Sequence, residues 1–242
     1  MEPKAHLSAL DRDGAAFAEA CEAAGLAVAV TSCPGWSTAD LLWHLTEVHH
    51  FWCTIVGERR STWEGYERPS RPRDLDLLAI YRAGLAELRS VLAAVDPAQS
   101  NWTWSADQSA GFVVRRMAQE TAVHRWDAEW AAKRDVPIES TLASDGIDEF
   151  LTHMIGDVAD GAQPTGGSVH IHCTDTAGEW TLRPTESTGL AVAREHSKGD
   201  VAMRGAASEI LLVLWRRREL ARLDVVGDHD VAQRLIARTS LN

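Results

Sequence analysis

The chain has 242 residues and a mass of 26.5 kDa, and 45% of its residues are hydrophobic and 24% charged. This composition is typical of a globular protein and excludes a disordered or fibrous chain. The 35 acidic and 24 basic residues give a net charge of −11. Because nucleic acids and anionic membranes attract basic surfaces, we expect neither as a partner.

The N-terminus lacks the apolar stretch of a signal peptide, and the longest apolar run, residues 210–215, is too short to cross a bilayer. The four cysteines are widely spaced and form no CxxC pair. This spacing favours reduced thiols over a disulfide scaffold or a zinc ribbon. We therefore expect a cytoplasmic protein.

Hydrophobic periodicity predicts helices in the first two-thirds of the chain, separated by glycine and proline turns. The predicted helices span roughly residues 7–24, 38–56, 74–95, 112–133 and 147–158. The segments between residues 57 and 73 and between 101 and 110 are predicted as a long loop and as a loop or short strand. We expect these two segments to shape any substrate pocket.

After Gly161 the pattern changes to short alternating runs separated by glycines, which predicts strands. The predicted strands are residues 168–173, 179–183, 190–194, 201–204 and 223–227, with helices at 207–220 and 230–237. The first two strands form a candidate hairpin. The sequence thus predicts an α+β chain with a helical domain at 1–160 and a smaller α/β domain at 161–242.

Glu120 and His124 lie four residues apart on the predicted fourth helix, so their side chains share one face. Asp127 follows three residues later, close to the same face. A glutamate and a histidine at this spacing can bind one divalent ion, but two ligands do not complete a site. A surface Glu–His pair is the alternative interpretation.

His44 lies among apolar neighbours on the predicted second helix, where a lone histidine is usually part of the core. If the second and fourth helices face each other, His44 meets Glu120 and His124. Two imidazoles, one carboxylate and an open position are the ligand set of a catalytic zinc ion or a similar metal. His49 is turned about 140° from His44, and His49 and His50 are predicted to lie at the surface or rim.

Four segments of the chain carry distinctive motifs. The first is CPGWSTADLLWHL at residues 33–45, and the second is RMAQETAVHRWDAE at 116–129. The others are SDGIDEF at 144–150 and the block at 201–217. Together these segments resemble the signatures of the mycothiol-dependent maleylpyruvate isomerase family. The resemblance covers essentially the whole chain, and the first two segments together are specific.

The resemblance implies a DinB-like four-helix bundle followed by a smaller α/β domain of the sterol-carrier-like type. It also implies a divalent metal, usually zinc, held by His44, Glu120 and His124, and mycothiol as the thiol cosubstrate. A thiol bound to a dication is deprotonated. In the reaction that the resemblance implies, the thiolate adds to the cis double bond of maleylpyruvate, the new single bond rotates, and elimination gives fumarylpyruvate. An S-transferase would instead keep the adduct.

Several roles stay open. Asp127 either orients a histidine ligand or faces solvent. Arg216, Arg217 and Arg218 either complement a helix dipole or place one guanidinium, Arg217, on a substrate carboxylate. His170 and His172 share one strand face, but nothing nearby in the sequence completes a second metal site.

Two other functions compete with a mycothiol-dependent isomerase or S-transferase. One is a non-catalytic, metal-stabilised module that binds a small ligand, and the other is a metal-dependent hydrolase. The enzyme is favoured because all three expected ligands are present, and a hydrolase needs a general base that the sequence does not identify. We expect a small thiol and a small electrophile as partners, and a monomer or weak dimer.

Overall fold

Seven α-helices and five β-strands make up the described part of the computed structural model, residues 1–185 and 189–240. The chain divides into two units, Met1–Val136 and Pro137–Asn242. No described helix is long and apolar enough to span a membrane. The predicted order, a helical bundle followed by a smaller mixed unit, is confirmed.

The first unit is a bundle of four helices. They are α1 (Pro3–Ala24), α2 (Thr38–Gly57), α3 (Asp74–Ala94) and α4 (Ala110–Ala131). Helix α4 packs along α1 and α2, and α3 completes the bundle against the same two helices. The predicted helix boundaries agree with these bounds to within a few residues, and the segments predicted as loops contain no helix.

Helix α2 begins at a capping box, which fixes its first turn. The Ser37 hydroxyl accepts from the backbone N–H of Asp40 at 3.2 Å, and the Asp40 carboxylate accepts from the N–H of Ser37 at 2.9 Å. Reciprocal caps of this kind satisfy two backbone donors that the helix itself cannot. His44 follows Asp40 by four residues, so the capped turn sets the face on which His44 lies.

Most residues of α4 are buried, including many polar ones. The buried polar side chains of α4 are those of Arg116, Gln119, Thr121, His124, Arg125, Asp127 and Glu129. Buried polar groups are costly without partners, and the ion pair of Arg125 with Asp13 of α1, at 3.3 Å, is one such pairing. Helix α4 therefore brings charged groups into the centre of the bundle.

The second unit is built on a five-stranded sheet of order β3-β2-β1-β4-β5. The strands are β1 (Val169–Cys173), β2 (Glu179–Pro184), β3 (Leu190–Ala193), β4 (Val201–Gly205) and β5 (Asp224–Gly227). Strands β1 and β4 pair in parallel, and the other neighbours pair antiparallel. The predicted hairpin of the first two strands is confirmed.

Three helices accompany the sheet: α5 (Ser140–Glu149), α6 (Ala207–Leu214) and α7 (His229–Arg238). The predicted start of the fifth helix at residue 147 is wrong, because the Glu139 carboxylate caps the helix by accepting from the N–H groups of Thr141 and Leu142. The helix continues through Gly146 into a π-helical turn, Phe150–Met154. The predicted turn at Asp145-Gly146 is therefore helical.

The division between the units falls after Val136, earlier than the boundary near residue 160 that the sequence predicts. The physical reason is that α5 packs against α6, so the fifth helix belongs with the sheet and not with the bundle. Helix α6 also ends earlier than predicted, at Leu214, and Arg216 adopts a positive φ of 54° soon after it.

His49 is buried, so its predicted position at the surface or rim is wrong, whereas His50 is exposed as predicted. His49 Nε2 lies 3.0 Å from the Thr121 hydroxyl of α4, and its ring lies 5.5 Å from that of Tyr81. Burial lowers the pKa of His49 to about 3. His49 is therefore a neutral residue of the core between α2 and α4.

We predict that a His49→Gln substitution reduces the loss of stability in mild acid. The unfolded state protonates His49 below about pH 6.5, whereas the folded state does so only near pH 3, so protonation favours unfolding as the pH falls between these values. One such group changes the free energy of unfolding by at most about 1.4 kcal/mol per pH unit. Urea unfolding of the metal-free protein between pH 7 and pH 5 measures this slope, and His50→Gln is the control. Equal slopes in the wild type and His49→Gln would contradict the prediction.

Candidate metal centre

The side chains of His44, Glu120 and His124 meet where α2 packs against α4. Glu120 Oε1 lies 3.3 Å from His44 Nε2 and 3.1 Å from His124 Nε2. One potential ligand atom of each residue lies within 4.8 Å of the others. The structure therefore brings together the three residues that the helical spacing and the resemblance pointed to.

Asp127 lies directly behind His124. Its carboxylate is fully buried, and Oδ2 accepts from His124 Nδ1 at 2.9 Å. The alternative in which Asp127 faces solvent is thus wrong. Nδ1 therefore carries the proton of this hydrogen bond, and the other ring nitrogen, Nε2, faces Glu120.

Sequence reasoning missed two residues that contact this cluster. Arg116, one helical turn before Glu120, donates from Nη2 to Glu120 Oε2 at 2.6 Å. The thiol of Cys33 donates to Asp127 Oδ2 at 3.5 Å. The i,i+4 spacing of Arg116 and Glu120 was a usable signal, whereas Cys33 lies 94 residues from Asp127 and nothing local in the sequence pairs them.

Charge pairing determines the protonation of the cluster. Desolvation raises the pKa of Glu120, but the charge of Arg116, followed by His124, outweighs this effect and holds the pKa well below its ordinary value. Desolvation lowers the pKa of His124, but Glu120 and Asp127 outweigh it and hold that pKa well above the ordinary value. Without a metal, His124 therefore keeps a proton between two carboxylates.

One side of the cluster is open to solvent. The side chains of His44 and Glu120 are 33% and 19% exposed, whereas those of His124 and Asp127 are 8% and 0% exposed. The Trp36 ring lies beside His44, with centroids 4.9 Å apart. The arrangement combines a rigid buried side with an accessible one, which is how sites that bind both a metal and a substrate are built.

Arg217 belongs to the second unit and donates from Nη1 to the carbonyl oxygen of Trp215 at 3.0 Å. Its contact with a substrate carboxylate stays a prediction. His50, the exposed histidine of α2, lies with Nδ1 2.8 Å from the Tyr66 hydroxyl and not in this cluster.

Two family models together match most of the chain. Residues 7–129 match the model described as the mycothiol maleylpyruvate isomerase N-terminal domain. Residues 141–234 match the model described as the MDMPI C-terminal domain. No curated protein matches the chain.

Among solved structures, the chain is similar to a crystal structure of the mycothiol-dependent maleylpyruvate isomerase, with a TM-score of 0.63 and 12% identity. The match covers 94% of this chain and 95% of that one. A mutant of that enzyme, with one histidine replaced by alanine, matches with the same values. At this identity the likeness shows a shared fold.

We predict that Asp127→Asn lowers the pKa of His124 in the metal-free protein. The reason is that the substitution removes one of the two anions that stabilise the imidazolium. NMR titration of the histidine ring nitrogens measures the change. Asp76→Asn is the control. Asp76 lies on α3 and is paired with Arg73, so this substitution leaves the pKa of His124 unchanged. An unaltered His124 titration in Asp127→Asn would show that Asp127 has no electrostatic influence on that ring.

Proposed function

The chain belongs to the mycothiol-dependent maleylpyruvate isomerase family, and from this membership we propose that it is a metal- and mycothiol-dependent isomerase or S-transferase. Its substrate is a small electrophile of the maleylpyruvate type. The observation that supports this proposal most directly is the convergence of His44 Nε2, His124 Nε2 and Glu120 Oε1 on one point.

The charges and donor atoms of the cluster fit a divalent cation. Arg116 is paired with the Glu120 carboxylate, and the proton on His124 supplies a second positive charge, which lies between Glu120 and Asp127. A divalent ion can take the place of that proton. Two imidazoles and a carboxylate suit zinc better than calcium or magnesium, which prefer oxygen ligands. We therefore propose zinc as the metal.

Three neighbours orient the proposed ligands. Asp127 holds the Nδ1 proton of His124, so Nε2 is free to ligate. Arg116 binds Oε2 of Glu120 and leaves Oε1 directed at the histidines. Trp36 packs against His44 and restricts the orientation of its ring. Such preorganisation keeps the ligand atoms in position before a metal binds.

When bound, the metal supplies the acidity that converts the thiol of mycothiol into a thiolate at neutral pH. The open side of the cluster, next to His44 and Glu120, gives the thiol access. Arg217 is proposed as a carboxylate-binding residue on the chemistry of its guanidinium alone. Whether the enzyme returns an isomer or keeps the thioether adduct depends on the electrophile.

We predict that a His44→Ala/His124→Ala double substitution removes about one bound divalent ion per chain. The substituted residues supply two of the three proposed ligands, and a single carboxylate binds zinc weakly. Metal analysis after dialysis against a buffered zinc solution measures the loss. His50→Ala removes an exposed histidine of the same helix and keeps full occupancy. Unchanged occupancy in the double variant would place the metal elsewhere.

We also predict that mycothiol binds directly to the metal. Titration of mycothiol into the cobalt-substituted protein produces a sulfur-to-cobalt charge-transfer band, and the band is absent in His44→Ala/His124→Ala. Because binding releases the thiol proton, the band strengthens as the pH rises toward the free thiol pKa of about 8.5. Turnover of a panel of electrophiles with mycothiol then separates isomerase from transferase. A metal-loaded protein that shows neither the charge-transfer band nor turnover of any electrophile would favour the non-catalytic binding module or the hydrolase.

A further inference from the structure

A second cluster of histidines lies on one face of the sheet in the second unit. Alternate residues of β1 point in opposite directions. Val169, Ile171 and Cys173 are buried apolar residues, so His170 and His172 lie on the other face. Glu179 of β2 pairs directly with His172 in the antiparallel register. Glu179 therefore supplies a third potential ligand beside the two histidines, which the sequence reasoning did not identify.

The carboxylate of Glu179 connects two of the imidazoles. It contacts Nδ1 of His172, and its Oε2 lies 3.2 Å from Nδ1 of His196. The ring of His170 lies 5.0 Å from that of His196 and 6.0 Å from that of His172. Ligand atoms of His170, His172 and Glu179 lie within 4.8 Å of one another. Three imidazoles thus surround one carboxylate.

The buried member of the cluster has an unsatisfied nitrogen. His170 is only 7% exposed, and its Nε2 has no hydrogen-bond partner among the described residues. A buried polar nitrogen without a partner is destabilising, and in native proteins it commonly indicates a missing water or ion. The Nε2 of His170 is therefore the atom of the cluster that most directly indicates a bound ion.

We propose that His170, His172, Glu179 and His196 form a second metal site, which binds zinc. Three imidazoles and one carboxylate are the donors of a four-coordinate zinc site, and this set disfavours calcium and magnesium. The β1–β2 pairing fixes three of the ligands. His196, whose side chain is 74% exposed, lies on the segment after β3 and is the fourth proposed ligand because its Nδ1 contacts the Glu179 carboxylate.

The surroundings allow a cation to enter. His172, Glu179 and His196 line an open cavity of about 470 Å³. Two guanidinium groups lie nearby. Arg194 lines the same cavity, and its charge is paired with Asp148. Arg204 pairs with His172 across β1 and β4. Its guanidinium forms an ion pair with Asp224 of β5 at 3.4 Å, so its charge is partly neutralised. The site is independent of the cluster on α2 and α4, because all four ligands belong to the second unit.

The test uses the full-length chain with His44→Ala/His124→Ala, which lacks the first proposed site. Competition with a chromophoric chelator measures zinc affinity, and metal analysis measures stoichiometry. We expect this protein to bind one zinc ion per chain at micromolar free zinc or below. Adding His172→Ala/His196→Ala weakens this binding about 100-fold or more, because two of four ligands are lost. Both histidines are partly exposed, so their replacement leaves the core intact, and circular dichroism checks this.

His229→Ala, at an exposed histidine of α7, is the matched control and leaves zinc affinity unchanged. No zinc binding by His44→Ala/His124→Ala at micromolar free zinc would overturn the second site while leaving the proposed enzyme function untouched. Equal affinity with and without His172 and His196 would overturn it as well. Absence of thiol binding and turnover in the zinc-loaded wild-type chain would instead count against the proposed function and leave the second site untouched.

Discussion

Glu120 accepts contacts from three side chains, and the polar centre of the helical bundle depends on this one carboxylate. Arg116 holds one of its oxygens, and His44 and His124 converge on the other. A desolvated carboxylate without these partners would take up a proton or destabilise the fold. Because His44 comes from α2 and the other residues from α4, the contact between His44 and Glu120 also joins the two helices. Asp127 continues the network behind His124. The bundle therefore holds the His124 imidazole between the carboxylates of Glu120 and Asp127.

The local geometry of this network follows from helix periodicity. The i,i+4 spacing of Glu120 and His124 predicts a shared face, and the i,i+3 spacing of Asp127 places a second carboxylate near it. The N-terminal signal of α2 is also readable in the sequence, since Ser37 and Asp40 form a capping box. What spacing does not specify is which helices pack together. The contact of His44 with Glu120 requires α2 to face α4, and that choice depends on the packing of the whole apolar core. The resemblance to a known family supplied this information where periodicity did not.

The errors of the sequence reasoning have physical causes. The buried His49 pairs its Nε2 with Thr121, a residue 72 positions away in the sequence. The Asp145-Gly146 pair is typical of a turn, but α5 continues through it because Glu139 caps the helix earlier and the helix packs on α6. Cys33 contacts Asp127 only because a turn and a helix far apart in sequence meet in the bundle. In each case a tertiary contact outweighs a local preference.

The two clusters show how secondary structure determines which sequence spacing is informative. On a helix, residues that share a face recur at three or four positions, so a single segment supplies Glu120 and His124 and places Asp127 beside them. On a sheet, one strand supplies His170 and His172 at a spacing of two, and a carboxylate comes from the residue opposite. That residue is set by hairpin register, and His172 pairs with Glu179 because the connection between β1 and β2 fixes the register. The five residues between the strands thus decide whether a carboxylate or a neutral side chain faces the histidines, since a shift of one residue would turn Glu179 to the opposite face. A histidine pair on a predicted strand therefore becomes informative only once the register of the neighbouring strand is known.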